Sequence, residues 1–204
     1  MTIRRTAALI LLVTALAGCA AGGPEPATAV TPPVVNGQTV NVTEPCPAAL
    51  EPGHRCWALV RAWDWYSDTG VRVARDQAYC LRIPAGQVWL DRNRRNTPPQ
   101  GEPGNLLLNA FGFLKRHPLP WFTLMAGVVE GVPPGLQASA DIQSRPEVQA
   151  QDLSAQRRLA VATAGALVLY PNDARFFYHN NHGQVWVQVE RLQGAQPCTD
   201  TFTP

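Results

Sequence analysis

The sequence predicts an all-β fold, a single β-sandwich of jelly-roll type with about eight strands. Three observations lead there. From Cys46 to Cys198 short apolar runs are separated by Gly, Pro, Asn and Asp, the punctuation of turns between strands. Val185, Val187 and Val189 alternate with Trp186, Gln188 and Glu190, a period of two that places one set on each face of a pleat. The body of about 150 residues has room for one domain and shows no internal repeat. In order, the candidate strands are Trp57 to Trp65, Gly70 to Val73, Ala78 to Pro84, Gln87 to Leu90, Trp121 to Val129, Leu159 to Thr163, Ala166 to Tyr170 and Gly183 to Leu192. Thr97 to Pro103 and Val132 to Gly135 read as loops, and Gln149 to Arg158 as one or two helical turns.

Upstream of the body the chain changes character twice. Arg4 and Arg5 precede an apolar run from Ala7 to Leu16, and Leu16-Ala17-Gly18-Cys19 follows. A run of about ten residues is too short to cross a bilayer, which needs roughly 20, so residues 1–18 read as an export signal. Its last four residues resemble the lipobox of bacterial lipoproteins. That resemblance implies cleavage before Cys19, diacylation of its sulfur and acylation of the new amino group, enough to hold a protein on a membrane. Ala20 stands where an aspartate would direct retention at the inner membrane in many enteric bacteria, so the outer membrane is the expected address. Residues 19–45, rich in Ala, Gly, Pro and Thr with Glu25 and Glu44 as the charges, read as a tether unable to build a core. The domain proper is then 46–204.

Charge and cysteines narrow the function. Of 17 basic residues, losing Arg4 and Arg5 leaves 15 against 15 acidic ones. A near-neutral chain lacks the basic stripe that collects phosphates, and Arg92, Arg94 and Arg95 read as a solvated loop; nucleic acid is excluded as a partner. With Cys19 assigned to lipid, Cys46, Cys56, Cys80 and Cys198 remain, an even set that reads as two disulfides in an exported chain. Three pairings are open. The expectation that chain ends meet on neighbouring strands favours Cys198 with Cys46 or Cys56. No Cys-x-x-Cys pair suggests structural zinc.

No catalytic grouping stands out: the sequence has no Gly-x-Ser-x-Gly elbow, no His-Glu-x-x-His and no phosphate-binding glycine loop. An enzyme is therefore not expected. His179 and His182 read as two exposed loop histidines. Of the six tryptophans, four are expected in the core, and the Trp65-Tyr66 pair is expected at the surface beside a Ser67-to-Gly70 turn.

The informative stretch is Leu167 to Val189, LVLYPNDARFFYHNNHGQVWVQV. Carboxylate, amide and carbonyl oxygens in one loop suit a hard divalent cation, since calcium takes six to eight oxygens at about 2.3 to 2.6 Å; a turn in which Asn and Asp accept left-handed backbone reads equally well. Asn172-Asp173, Tyr178, Asn180-Asn181 and Gly183 resemble the signature of the bacterial PA-I galactophilic lectin family. Asp68-Thr69-Gly70-Val71-x-Val73, Gly86-x-x-Trp89-x-Asp91 and Trp121-Phe122-x-Leu124 fall in the order seen in related galactose-binding-like domains. The resemblance implies a jelly-roll sandwich with one calcium ion bridging protein to two sugar hydroxyls. Its ligands would be the Asp173 carboxylate, the Asn180 and Asn181 amide oxygens, the Phe177 backbone carbonyl and a carbonyl near Asp91. Two of the family's glycines are here Phe176 and His179, so the loop is expected to differ or be strained. Arg175 and His182 add positive or protonatable groups that lower the expected calcium affinity. Two functions follow as expectations: an envelope lipoprotein whose domain binds carbohydrate through calcium, or a structural, protein-binding lipoprotein that has lost the metal.

Overall fold

Alternation builds the observed strands, and the computed structural model describes them over residues 32–35, 37–42, 46–91, 94–104, 109–131, 142, 144–154, 157–199 and 202. Cys19, the export segment, Arg92 and Val132 to Gly135 lie outside the described residues. The protein is an all-β sandwich. One sheet has the order β10 (Arg158–Ala160), β5 (Ala78–Arg82), β13 (Gln184–Arg191), β3 (Arg55–Arg61). The other runs β4 (Ser67–Val73), β11 (Gly165–Pro171), β8 (Leu124–Val129), β9 (Glu147–Asp152). Every pairing within both sheets is antiparallel.

The period-two pattern decides what lies between the sheets. Val185, Val187 and Val189 of β13 meet Val71, Leu124, Leu167 and Leu169 of the opposite sheet in one apolar core. Their strand neighbours are buried too, on the outer faces. Ala166, Val168 and Tyr170 of β11 pack with Tyr66, Met125 and Ile142, and Trp57, Leu59 and Trp186 pack with Val35. Gly70 has φ +88°, and a Cβ there would lie 2.4 Å from the Cys46 carbonyl oxygen, so this close approach admits only glycine.

Several expectations are corrected. The stretch up to Pro45 read as a tether, yet β1 (Val34–Val35) and β2 (Gln38–Thr39) form a hairpin. Its Val35, with Val40, Val42 and Phe202, covers the Trp57, Leu59 and Trp186 face. The expected helical turns from Gln149 are instead edge strand β9, paired with β8. Its polar sequence hides the strand because its half-buried positions are Glu147, Gln149 and Gln151 rather than apolar ones. Those glutamines reach β10: Gln149 Nε2 donates to the Ala160 carbonyl at 2.7 Å, its Oε1 accepts from Ala162 N at 3.0 Å, and Gln151 Nε2 donates to the Arg158 carbonyl at 3.2 Å. Gln87 does the same for β13 where β5 has ended, bonding both N and O of Trp186.

Ser67 to Gly70 is strand, not turn, and Arg94 to Thr97 is strand β7 rather than loop. Tyr66 is buried; the exposed tryptophan is Trp63 at 37%, while Trp57, Trp89, Trp121 and Trp186 are buried, the four expected. The disulfides are Cys46–Cys56 and Cys80–Cys198, overturning the expected link from Cys198 to Cys46 or Cys56. The reason is topological: Cys80 lies on β5 opposite Glu190 of β13, so the tail leaving β13 passes β5 first.

Candidate functional site

The candidate site grows from the end of β11. Past Pro171 the chain makes a turn, a short 3-10 segment (Tyr178–Asn180) and strand β12 (Asn181–His182). His179 lies in the 3-10 segment and Phe176 in the turn before it. Left-handed backbone outside glycine occurs at Asp76, Asn96 and Phe122 among the described residues, so Phe176 and His179 carry no such strain and that half of the expectation falls. β12 pairs with β6 (Trp89–Asp91), which pairs with β7, and the β12–β6 register sets Asn181 opposite Asp91.

Of the expected donors, the Asp173 carboxylate and the Asn181 amide meet directly, and Asp91 stands opposite Asn181 in the ladder. The Asp173 carboxylate is buried; Oδ1 accepts from Ala174 N at 2.6 Å and Oδ2 from Asn181 Nδ2 at 2.8 Å. Asn181 Nδ2 also donates to the Ala62 carbonyl at 3.1 Å. Two acceptors on that side fix the nitrogen there and turn the oxygen away. Both amide oxygens, Asn180 Oδ1 and Asn181 Oδ1, are buried and accept no hydrogen bond from the protein. The Phe177 carbonyl accepts from Asn180 N at 3.0 Å, closing the 3-10 segment. Buried acceptors without donors are uncommon, each costing about 1–3 kcal/mol; two of them and a buried carboxylate in one turn are oxygen types that a hard cation takes, although the Asn181 nitrogen, not its oxygen, faces Asp173. Among the described residues no three His, Cys, Asp or Glu side chains gather into a metal centre, so any ion here would lean on amide and carbonyl oxygen. His179 is exposed and His182 half-buried; Arg175 extends over the Trp65 ring, 5.6 Å from its centroid.

Asn172, adjacent to Asp173, is a structural hub. Fully buried, it accepts from His117 N at 3.1 Å and donates towards the carbonyls of His117, Leu119 and Pro120 at 3.1 to 3.3 Å. Replacing it by Ala strands these backbone groups in a dry site, so Asn172→Ala is expected to cost about 3 kcal/mol, which a thermal melt reads as a fall of roughly 6–12 °C.

Sequence reasoning missed the partners of this hub. The segment from Lys115 to Pro120 lines the site: Lys115 bridges to Ala174, and Arg116 N donates to the Asp173 carbonyl at 3.3 Å. No local pattern marks it, because the contacts of Arg116 lie 51 residues away at Trp65 and 31 away at Glu147.

No family model matches the chain, and no curated protein matches it. Among solved structures the chain is similar to one described as "EclA N-terminal domain; PllA-like lectin", with 20% identity, 66% of this chain and 94% of that chain covered, and a TM-score of 0.39. By its own architecture the chain is a disulfide-linked β-sandwich with an oxygen-rich loop at one end.

Proposed function

We propose that this protein is a non-enzymatic envelope lipoprotein, anchored through Cys19, whose sandwich binds carbohydrate through a calcium ion at the turn after β11. What supports the reading is one observation: the Asn180 and Asn181 amide oxygens are buried without a donor in the turn that also carries the buried Asp173 carboxylate. The ion would be held by Asp173, Asn180, Asn181, the Phe177 carbonyl and backbone near Asp91. With coordination positions left open, it would accept vicinal sugar hydroxyls in place of water.

A melting curve of the full chain, metal-free and then with calcium, tests this. Binding to the folded form alone adds about 2.7 kcal/mol at a hundredfold excess over Kd, a rise of roughly 5–10 °C. The rise is expected to vanish in Asp173→Asn, and a glycan array is expected to show chelator-sensitive binding. An unchanged melt at millimolar calcium would reject the reading.

One observation favours the second function, a structural or protein-binding lipoprotein without metal. Asn181 Nδ2 already serves the Asp173 carboxylate, a closure that needs no ion. The same melt decides between the two.

A further inference from the structure

The cluster on the outer face of the β4–β11–β8–β9 sheet points back at the candidate site. Arg116 is its centre. The guanidinium lies 3.9 Å from the Trp65 ring centroid, 4.6 Å from Tyr66 and 3.8 Å from Tyr170. It donates to the Trp65 carbonyl at 2.9 Å and pairs with Glu147 Oε2 at 3.5 Å. Glu147 is held in turn by the Tyr170 hydroxyl, which donates to it at 2.6 Å and also contacts His117 Nε2 at 2.9 Å. A planar cation enclosed by rings and a carboxylate has little freedom.

Its backbone and neighbours touch both ends of the donor turn. At the first end, Arg116 N donates to the Asp173 carbonyl, with Lys115 bridged to Ala174 and His117 N bound to Asn172 Oδ1. At the second end, the Trp65 ring under the guanidinium packs edge-on against Tyr178 at 5.0 Å, and the Tyr178 hydroxyl returns to the Pro171 carbonyl at 2.5 Å. Asp173 sits at one end and Asn180 and Asn181 just past the other.

We infer that Arg116 is a positioning residue for the cation site: by clamping both ends of the 171–178 turn it sets the distance between the Asp173 carboxylate and the two amide oxygens. The inference rests on the calcium reading above. Outer-shell partners of this kind typically change metal affinity 10- to 100-fold.

The test is calcium titration calorimetry of the full chain as wild type, Arg116→Lys and Arg116→Met, below the melting point of each. Positioning and simple charge give opposite results. Lys keeps the charge but loses the planar stack, so positioning weakens calcium binding about 10- to 100-fold in both variants. A charge effect alone leaves Lys unchanged and makes Met bind tighter, since a like charge has gone; that result overturns the inference, as does equal affinity in all three proteins. A purely structural role lowers the melting point of the variants with Kd unchanged, and also overturns it. Lys is the milder change and keeps the test open should Met not fold. If the wild type itself takes no calcium, the reading of the site fails and the inference with it; if the wild type binds and the variants bind equally, the inference alone fails.

Discussion

Raising the pH past 10 should destabilise this protein steeply, with buried tyrosines keeping their protons until the fold gives way. The chain has four tyrosines, and each phenol is held above its ordinary range of about 10. Burial is the first cause for Tyr66, Tyr79, Tyr170 and Tyr178; the Glu147 carboxylate adds to it at Tyr170, while Arg116 opposes it at Tyr66 and Tyr178. The sign follows from proton counting. Below pH 10 folded and unfolded chains both keep these protons, and stability is untouched. Above it the unfolded chain releases protons that the folded one retains, so stability falls as pH rises towards the folded values. Tyr170 and Tyr178, raised furthest, each contribute about 1.4 kcal/mol of loss per pH unit, about 3 kcal/mol together one unit above 10, and Tyr66 and Tyr79 add in the same direction, a large part of the stability of an ordinary domain. Phenolate absorbance and the loss of near-ultraviolet dichroism are expected to coincide. A phenolate signal growing near pH 10 over an intact fold would show that at least one ring is not packed as described, and Tyr79→Phe should move the transition to higher pH.

The second large effect belongs to the disulfides, and it is unequal. Cys80–Cys198 spans 118 residues and Cys46–Cys56 spans 10. Loop-closure entropy puts the long bridge at about 5 kcal/mol and the short one at about 3 kcal/mol. The long bridge also guards a buried charge pair. Arg82 binds Glu190 Oε2 at 2.5 Å and the Thr199 carbonyl at 2.5 Å, so freeing the tail removes an acceptor from a buried guanidinium. Urea denaturation of Cys80→Ser with Cys198→Ser, against Cys46→Ser with Cys56→Ser, is expected to rank them in that order. Peptide mapping that joined Cys198 to Cys46 or Cys56 would reverse the account.

The fold was legible where burial and period coincide. β3 and β11 are unbroken apolar runs and β13 alternates, so their existence follows from the pattern alone, although Trp63 and Trp65 lie beyond the end of β3. β9 was illegible because its inward positions are polar. The hairpin near residues 34–39 was missed because a Pro- and Thr-rich composition conceals a single buried valine, Val35. At the candidate site the sequence marks Asp173 to Asn181 because they are consecutive in the chain and rich in oxygen-bearing side chains. Asn172 appeared there only as part of a motif; its four side-chain hydrogen bonds go to backbone between His117 and Pro120, and only tertiary packing brings such partners together. The disulfide pairing failed for a related reason, since it depends on the order of strands in a sheet.

The glutamine amides on β9 have an effect beyond holding two strands side by side. A sheet margin normally presents free peptide groups that a second molecule can copy, the first step of fibre growth. Here the Arg158 and Ala160 carbonyls and Ala162 N are already engaged by Gln149 and Gln151. That margin is thereby closed to templating by another molecule.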